Sequence, residues 1–496
     1  LSILFRDFEG TELWYNKAME LLEEHLRKEI NTDGFQFERT VHYHKSDIGN
    51  FYYVYQLAKI SGLEVKEFWR GKLNDLFVTL VKIAHPDKTA PVLSDDTEAP
   101  WGEYNNISLA LTLGYLLFED PEMGYFAENV VAENMYWYLN AHQLNLLGGI
   151  KAKQPSFESL SFPETGYFIS REGWDLNDKM MIISAGLDDK KPDHQHGDML
   201  GIQGYANGQV ILPNYQVRYS LKDLELFKNS LVKNVALVDD ELQGKEYTSN
   251  KGGSGFGKFR KLPDPTTIVW ENKKAFDLYV GSHNGFEDIG VDYTRQVVFV
   301  KDDFWIVKDN FLADKPHVYK QIWQGHYSYE HAPQLLRASF DNGSGFDILQ
   351  LNTVSGLETG GARGKTWNIV KSEDRVKYSF LTVLFPYKSY DNRIDEEGQF
   401  LSFGQWVQND ASWSASGVNV KSITKSNHGF FFGIEGIECS GIKLIFDRAA
   451  DVFIAKSEDF LELSSISGKN VSCTIQEKSR SMKITLKPGE NYRIKN

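Results

Sequence analysis

Two short runs of this chain concentrate side chains that can move protons. The first is Asp33-Gly-Phe-Gln-Phe-Glu-Arg-Thr-Val-His-Tyr-His44, with Glu38, Arg39, His42, Tyr43 and His44 inside seven residues. The second is Asp193-His-Gln-His-Gly-Asp198, with His194 and His196 two apart. Carboxylate, guanidinium, phenol and imidazole at such spacing can carry general acid–base chemistry. A His-x-His turn beside an Asp can equally hold a metal ion or brace a loop. From residue types alone these readings stay open.

Two other motifs are weaker. Gly252-Gly-Ser-Gly-Phe-Gly-Lys258 has the glycine and lysine spacing of a phosphate loop, but Phe259 stands where a metal-binding hydroxyl is needed. Pro263 and Pro265 follow, so no helix N-terminus can receive a phosphate, and the stretch reads as a surface loop. Asp95, Asp96 and Glu98 could form a carboxylate pair for glycoside hydrolysis. Their Pro-flanked setting between helices fits a solvated loop or a helix cap better.

The elements that position these runs change type along the chain. Trp14, Ala18, Leu21, Leu22, Leu26 and Ile30 fall at helical spacing, as do Ile48, Phe51, Tyr52, Tyr55 and Ala58. Leu73 to Ala84, Ile107 to Phe118 and Phe126 to Leu139 predict three further helices. The segment from Lys151 to Gly166, with Pro155, Pro163 and several Ser, has no periodicity. Beyond it, Tyr167–Arg171, Met180–Ala185, Val235–Asp239, Gln296–Val300, Phe304–Lys308 and Phe380–Phe385 predict strands. Helices first and strands after mean an α+β chain with segregated layers rather than a parallel α/β sheet. The expected division is a helical region over 1–150, an antiparallel β region over 151–427 and a C-terminal strand region over 428–496.

Composition sets the outer bounds. At 496 residues there is ample chain for a large core. The 54 Lys+Arg against 68 Asp+Glu give a net charge of −14, which argues against nucleic acid as a partner of the whole surface but leaves room for an anionic ligand in a local basic pocket. The longest mostly apolar run, Ile107 to Phe118, is too short to cross a bilayer. Cys439 and Cys473 can form one bond or none. Aromatic residues make up 14%, which suits a β core and also sugar-stacking surfaces.

The first run resembles the Asp-Gly-Gly-x-Phe-Glu-Arg-Ser-x-x-Tyr-His segment of heparinase II/III-type polysaccharide lyases, and the second resembles their His-x-His-x-Asp turn. Between them, Phe162-Pro-Glu-Thr-Gly-Tyr-Phe-Ile-Ser-Arg-Glu-Gly-Trp174 is similar to the opening of that family's β domain, and Tyr205-Ala-Asn-Gly-Gln-Val-Ile-Leu-Pro213 to the strand pair that follows. The resemblance implies an (α/α) toroid, partial in this chain, followed by antiparallel β-sandwich domains with a site in the cleft. It also implies β-elimination on an anionic, uronate-bearing polysaccharide such as alginate or a glycosaminoglycan, in a periplasmic or secreted setting.

On that reading the catalytic candidates are Tyr43, His194, His44 and Arg39. Tyr43 is base, acid or both, His194 faces it across the cleft, and Arg39, His42 or His44 favours its phenolate. Glu38, His42, Arg171 and Trp101 are candidate substrate contacts. A glycoside hydrolase using Asp95 to Glu98, or a non-catalytic carbohydrate-binding relative, is the alternative.

Two departures from the family pattern carry consequences. The family's structural zinc takes the second His of the turn, a later Asp and a later His. Here His196 is present, but Asn214 and Lys233 stand in the other two places. The expectation is no metal and no cofactor, with the Lys233 ammonium near Asp198 replacing the ion's charge. The family's carboxylate-neutralising Asn has no match before Asp33, and Asn105-Asn106 comes too late. Five helices are also too few for a closed ring. The expectation is therefore a longer polypeptide whose upstream part supplies the rest, leaving Trp14, Leu21, Tyr52, Tyr55 and Leu113 open here.

Overall fold

The computed structural model describes residues 1–188, 194–249, 257–327, 329–389, 405–477 and 480–495. They form two compact units. The first is Leu1–Asp264 with Ile322–Gly325 and Thr359–Ile369; the second is Pro265–Gln321, His326–Glu358 and Val370–Asn496.

The first unit begins with helices α1 (Thr11–Glu29), α2 (Val41–Ile60), α3 (Glu67–Ile83), α4 (Ser108–Phe118), α5 (Pro121–Gly124) and α6 (Ala141–Leu147). Three of these starts, those of α2, α5 and α6, have a side-chain cap. The Thr40 hydroxyl accepts the Tyr43 N–H at 2.9 Å and opens α2. Asp120 caps α5 ahead of Pro121, and Asn140 with Gln143 forms a capping box on α6. The stretch Phe126 to Leu139 does not form the expected α-helix. It holds a 3-10 helix over Glu133–Tyr138, and the Asn129 side chain is tied to the Leu147 carbonyl at 3.1 Å instead of facing solvent from a helix.

The apolar stripes of α2 and α3 are buried as their spacing predicts, from Ile48 and Tyr52 to Phe77 and Leu80. On α1 only the end of the stripe is covered: Leu26 is buried while Trp14 is 57% and Leu21 46% exposed. Tyr52, Tyr55 and Leu113, expected to be open, are buried.

The strands of this unit follow β1 (Thr89–Ala90) and β2 (Asn105–Asn106), which pair with each other. Then β3 (Leu160–Phe162), β4 (Tyr167–Arg171), β5 (Met180–Ser184), β6 (Gly201–Ala206) and β7 (Gln209–Leu212) make an antiparallel meander. Every residue of β4 and β5 is buried. That two-sided burial explains why Met180-Met-Ile-Ile reads as a continuous apolar run rather than an alternation. One core joins helices and sheet, with Leu73, Phe77 and Leu80 in the same cluster as Phe35, Phe162, Tyr167, Met180 and Ile182. The helix-to-strand transition at 151–166 thus lies inside a single unit.

The second unit is β-rich, with one 3-10 turn over Glu287–Ile289 among its described residues. An eight-stranded antiparallel sheet contains Phe276–His283, Val291–Val300, Phe304–His317 and Arg375–Tyr387 as neighbours, and a nine-stranded sheet runs from Val407–Gln408 to Asn491–Lys495. Their facing side chains, such as Phe276 and Ile306 with Phe430 and Phe453, share one core. His428 begins a strand inside the second sheet rather than a separate one. Cys439 and Cys473 are both buried and unbonded. Among the described residues no helix is long and apolar enough to cross a membrane. Gly252 to Phe256 lie outside the described residues, and Lys258 sits in a strand over Gly257–Lys261.

Candidate active site

The run from Asp33 to His44 is fixed at both ends before it presents anything. Asp33 accepts the Thr165 N–H and hydroxyl, each at 2.8 Å, which docks the run onto the turn before β4. Gly166 has a φ of 78°, and a Cβ there would lie 2.3 Å from the Gly186 Cα, so two backbones meet where only glycine fits. Arg39 adopts a φ of 63°, unusual for a residue with a side chain. Its guanidinium holds that conformation by donating to Thr165 O at 2.7 Å, Gln195 Oε1 at 2.7 Å and Ser184 Oγ at 3.2 Å, and the Tyr167 hydroxyl donates to its carbonyl at 2.8 Å. The sharp turn sends Glu38 to one side and starts α2 at Thr40 on the other.

Five side chains then converge. Tyr43, in the first turn of α2, stacks on His194, with ring centroids 4.4 Å apart and planes within 15°. His194 Nδ1 is hydrogen-bonded to Glu38 Oε2, both groups buried. The Tyr43 hydroxyl lies 2.8 Å from the Tyr219 hydroxyl. His42 lies edge-on to Tyr43 at 5.1 Å, half-buried, and its backbone N–H donates to Asp96 Oδ1 at 2.7 Å. Gln195 bridges the runs, its amide donating to the Glu38 carbonyl at 3.3 Å.

The electrostatics follow from partial burial. Burial pushes the Tyr43 phenol above its ordinary value, and the Tyr219 hydrogen bond pulls against that rise. Tyr219 is pushed up further, by burial and by the nearby charge of Asp95. His42 is lowered, first by burial and then by the charge of Lys45. The arrangement can exchange a proton at the Tyr43 oxygen while Glu38 fixes the tautomer and plane of His194.

Not every expected residue reaches this point. Arg39 is 1% exposed with its donors committed as above, so it braces the loop and does not face the Tyr43 hydroxyl. His44 is fully buried: Nδ1 accepts the Gln36 N–H at 3.2 Å and Nε2 lies 2.8 Å from the Leu76 carbonyl. Burial lowers it to about 4, so it is neutral and brings no cation to Tyr43. Arg171 donates to the Ala84 carbonyl at 2.7 Å and covers the Trp174 ring at 3.9 Å, which corrects its assignment as a substrate contact. Glu38 is spent on His194 rather than held open for substrate. The stack also corrects the expectation that His194 faces Tyr43 across the cleft, because no sugar ring fits between rings in van der Waals contact. Trp101 remains half-exposed, its ring 4.2 Å from Phe227, on a loop tied by its N–H to the Gln216 carbonyl at 3.0 Å.

The carboxylates of the hydrolase alternative are committed elsewhere. Asp95 is bonded to His196 and Lys228, each at 2.8 Å. Asp96 accepts from Leu93 N and Asn105 Nδ2, each at 2.7 Å, besides His42, and Glu98 pairs with Lys45. Tyr219 is the residue sequence reasoning missed. It lies after β7 in a polar loop with no motif around it; its only signal is a tyrosine between Arg218 and Ser220.

Known proteins share the fold of this chain. The model of the heparinase II/III N-terminus matches residues 1–110 and that of the heparinase II/III-like C-terminal region matches 154–379, together more than half of the chain. A heparin-sulfate lyase of Pedobacter heparinus is 25% identical over 328 residues, 65% of this chain and 44% of the relative. One of Bacteroides stercoris is 19% identical over 408 residues, 78% of this chain and 55% of the relative. The chain thus spans about half the length of these relatives. A solved heparan sulfate lyase of Pedobacter heparinus superposes with a TM-score of 0.63 at 15% identity, over 99% of this chain and 64% of that one. A Streptomyces coelicolor chondroitin AC lyase does so with 0.51 at 10% identity, over 97% and 74%. The fold is theirs: a helical N-terminal region followed by a β-rich part. The chain belongs to the heparinase II/III family.

Proposed function

We propose that this member of the heparinase II/III family is a polysaccharide lyase that cleaves an anionic, uronic-acid-bearing polysaccharide by β-elimination. The observation that carries the reading is the Tyr43 hydroxyl, hydrogen-bonded to Tyr219 and backed by the His194–Glu38 pair. Elimination removes the C5 proton beside the uronate carboxylate, forms the C4=C5 double bond, breaks C4–O4 and returns a proton to O4. Tyr43 as phenolate takes the C5 proton; as phenol it then protonates the departing O4. Tyr219 donates to the phenolate while it exists. The N-terminal end of α2, one turn away, adds a favourable partial charge. A ring N–H of His194 would hydrogen-bond the substrate carboxylate, damp its charge and so acidify C5.

The heparin-sulfate lyase relatives favour a glycosaminoglycan over alginate as substrate. Trp101, half-exposed on a loop bonded to Gln216, suits stacking against a sugar ring. A polymer of that size does not enter cells, so the setting we propose is periplasmic or secreted. A panel of glycosaminoglycans and alginate tests the reading. A lyase yields a conjugated, ultraviolet-absorbing unsaturated uronate. New reducing ends without that absorbance would mark a hydrolase, and binding without either product would mark a non-catalytic relative.

A further inference from the structure

Beneath the turn that carries His194 lies a second buried cluster of ionisable groups, which proton transfer at Tyr43 does not use. His196 Nε2 is 2.8 Å from Asp95 Oδ1, and Lys228 Nζ donates to Asp95 Oδ2 at 2.8 Å and to the Gly257 carbonyl at 2.9 Å. Lys233 Nζ donates to Asn214 Oδ1 at 2.7 Å and to the Phe227 carbonyl at 2.9 Å. Lys233, Asn214, Asp198, Ser184 and Gln203 line a cavity of about 10 Å³, room for one water.

The family pattern puts a divalent cation at this place, and the residues present do not fit one. A protein zinc site needs three or four lone-pair donors. Both oxygens of Asp95 and the amide oxygen of Asn214 are already taken by hydrogen bonds. Lys233 brings a positive charge and no lone pair. His196 Nδ1 and Asp198 Oδ1 are the two buried atoms of the cluster without a hydrogen-bond partner, one donor too few for a site, and both stand close to ammonium groups that repel a cation.

We propose that the ammonium groups of Lys228 and Lys233 take over the structural work of a divalent cation, so that the turn carrying His194 is held without metal. Lys228 fixes Asp95, and Asp95 fixes the His196 ring two residues from His194. Lys233 ties Asn214 to the backbone at Phe227 and offsets the charge of Asp198. Two ammonium groups balance two carboxylates, as a divalent ion would. The proposal goes beyond the lyase reading and does not depend on it.

Elemental analysis of the purified chain, dialysed against chelator or against zinc, reads it directly. The expected result is less than about a tenth of an equivalent of zinc in both, with the same melting temperature. About one zinc per chain that disappears in His196→Ala would overturn the proposal. Lys233→Met keeps the aliphatic stem and removes the charge. It should lower the melting temperature by about 5 °C with no rescue by zinc, and an unchanged melting temperature would refute the role of the ammonium. The double variant Asn214→Asp with Lys233→His restores three ligands and should gain about one zinc, its melting temperature then falling with chelator. A folded double variant that takes up no zinc would overturn the placement. Should that variant not fold, the wild-type metal content and Lys233→Met decide alone.

Discussion

The hydroxyl oxygens of Tyr43 and Tyr219 lie 2.8 Å apart, one hydrogen bond joining a residue of the first turn of α2 to one in the loop after β7. Burial raises both phenols, but the shared bond lowers Tyr43 and raises Tyr219. Tyr43 is therefore the first to lose its proton, and Tyr219 then donates to the phenolate. Tyr219→Phe removes that donor and should move the rise of kcat/KM with pH upward by about one unit, a loss of about tenfold at neutral pH. Activity should recover at high pH. A variant with an unchanged pH profile would show that Tyr219 does no more than fill space.

Tyr43→Phe removes the oxygen through which both proton transfers run in the proposed reaction. Turnover should fall by at least about a hundredfold. The ring still stacks on His194 and the Thr40 cap is untouched, so the melting temperature should stay within about 3 °C. Near-normal production of the unsaturated uronate would remove Tyr43 from the mechanism.

His194 and His196 stand two residues apart but in different surroundings. His194 contacts Tyr43 and Glu38, whereas His196 is wholly buried against the Asp95–Lys228 pair. His194→Ala should abolish most activity at a cost of about 1–2 kcal/mol, because the buried Glu38 carboxylate loses its ring partner. His196→Ala leaves a buried cavity and takes from Asp95 one of its two partners, with Lys228 alone to hold it, and should cost about 3–4 kcal/mol. Chemical denaturation and turnover, measured on both, separate the two roles; the reverse ranking in stability would exchange them.

The order of elements was legible where burial is one-sided or complete. The stripes of α2 and α3 and the apolar runs at β4 and β5 mark buried faces, and the structure buries them. The Asp33–His44 and His194–Asp198 runs were legible as a site because proton-transfer groups at short spacing are uncommon. Which members of those runs act was not legible. Arg39, His44 and Arg171 have the right chemistry, but their donors and acceptors meet backbone groups from segments far along the chain, and only the packing shows that. Tyr219 joins the site from 176 residues away, with no local pattern to announce it.

Four buried histidines give the fold an acid limit. Burial lowers His44 and His85 to about 4 and His196 and His283 to about 3. Each is neutral when folded and takes up a proton below about 6.5 when unfolded. The unfolded chain therefore binds more protons than the folded one between about 6.5 and those lowered values, and stability rises with pH across that window. Each histidine contributes at most about 1.4 kcal/mol per pH unit there. Acidification from pH 6.5 to 4.5 should lower the melting temperature steeply while the range above 7 stays flat in this respect. Calorimetry over that range checks it, and a stability that does not change below pH 6.5 would contradict the burial of the four rings.

On the proposed reaction, the stack of Tyr43 on His194 sets the face from which substrate is attacked. With ring centroids 4.4 Å apart, the two groups reach a sugar from one side, and one phenol must serve both C5 and O4. That geometry suits a uronate whose C5 hydrogen and C4 oxygen lie on the same face of the ring, as in the D-gluco configuration. The C5 epimer with the L-ido configuration places them on opposite faces, so a one-sided base reaches only one of the two. The expected outcome is cleavage at glucuronate linkages at least about a hundredfold faster than at iduronate linkages in otherwise matched oligosaccharides, because one proton-transfer partner is lost. Product analysis of defined tetrasaccharides reads this directly. Equal rates on the two epimers would mean that a second group, on the far face, supplies the other proton transfer.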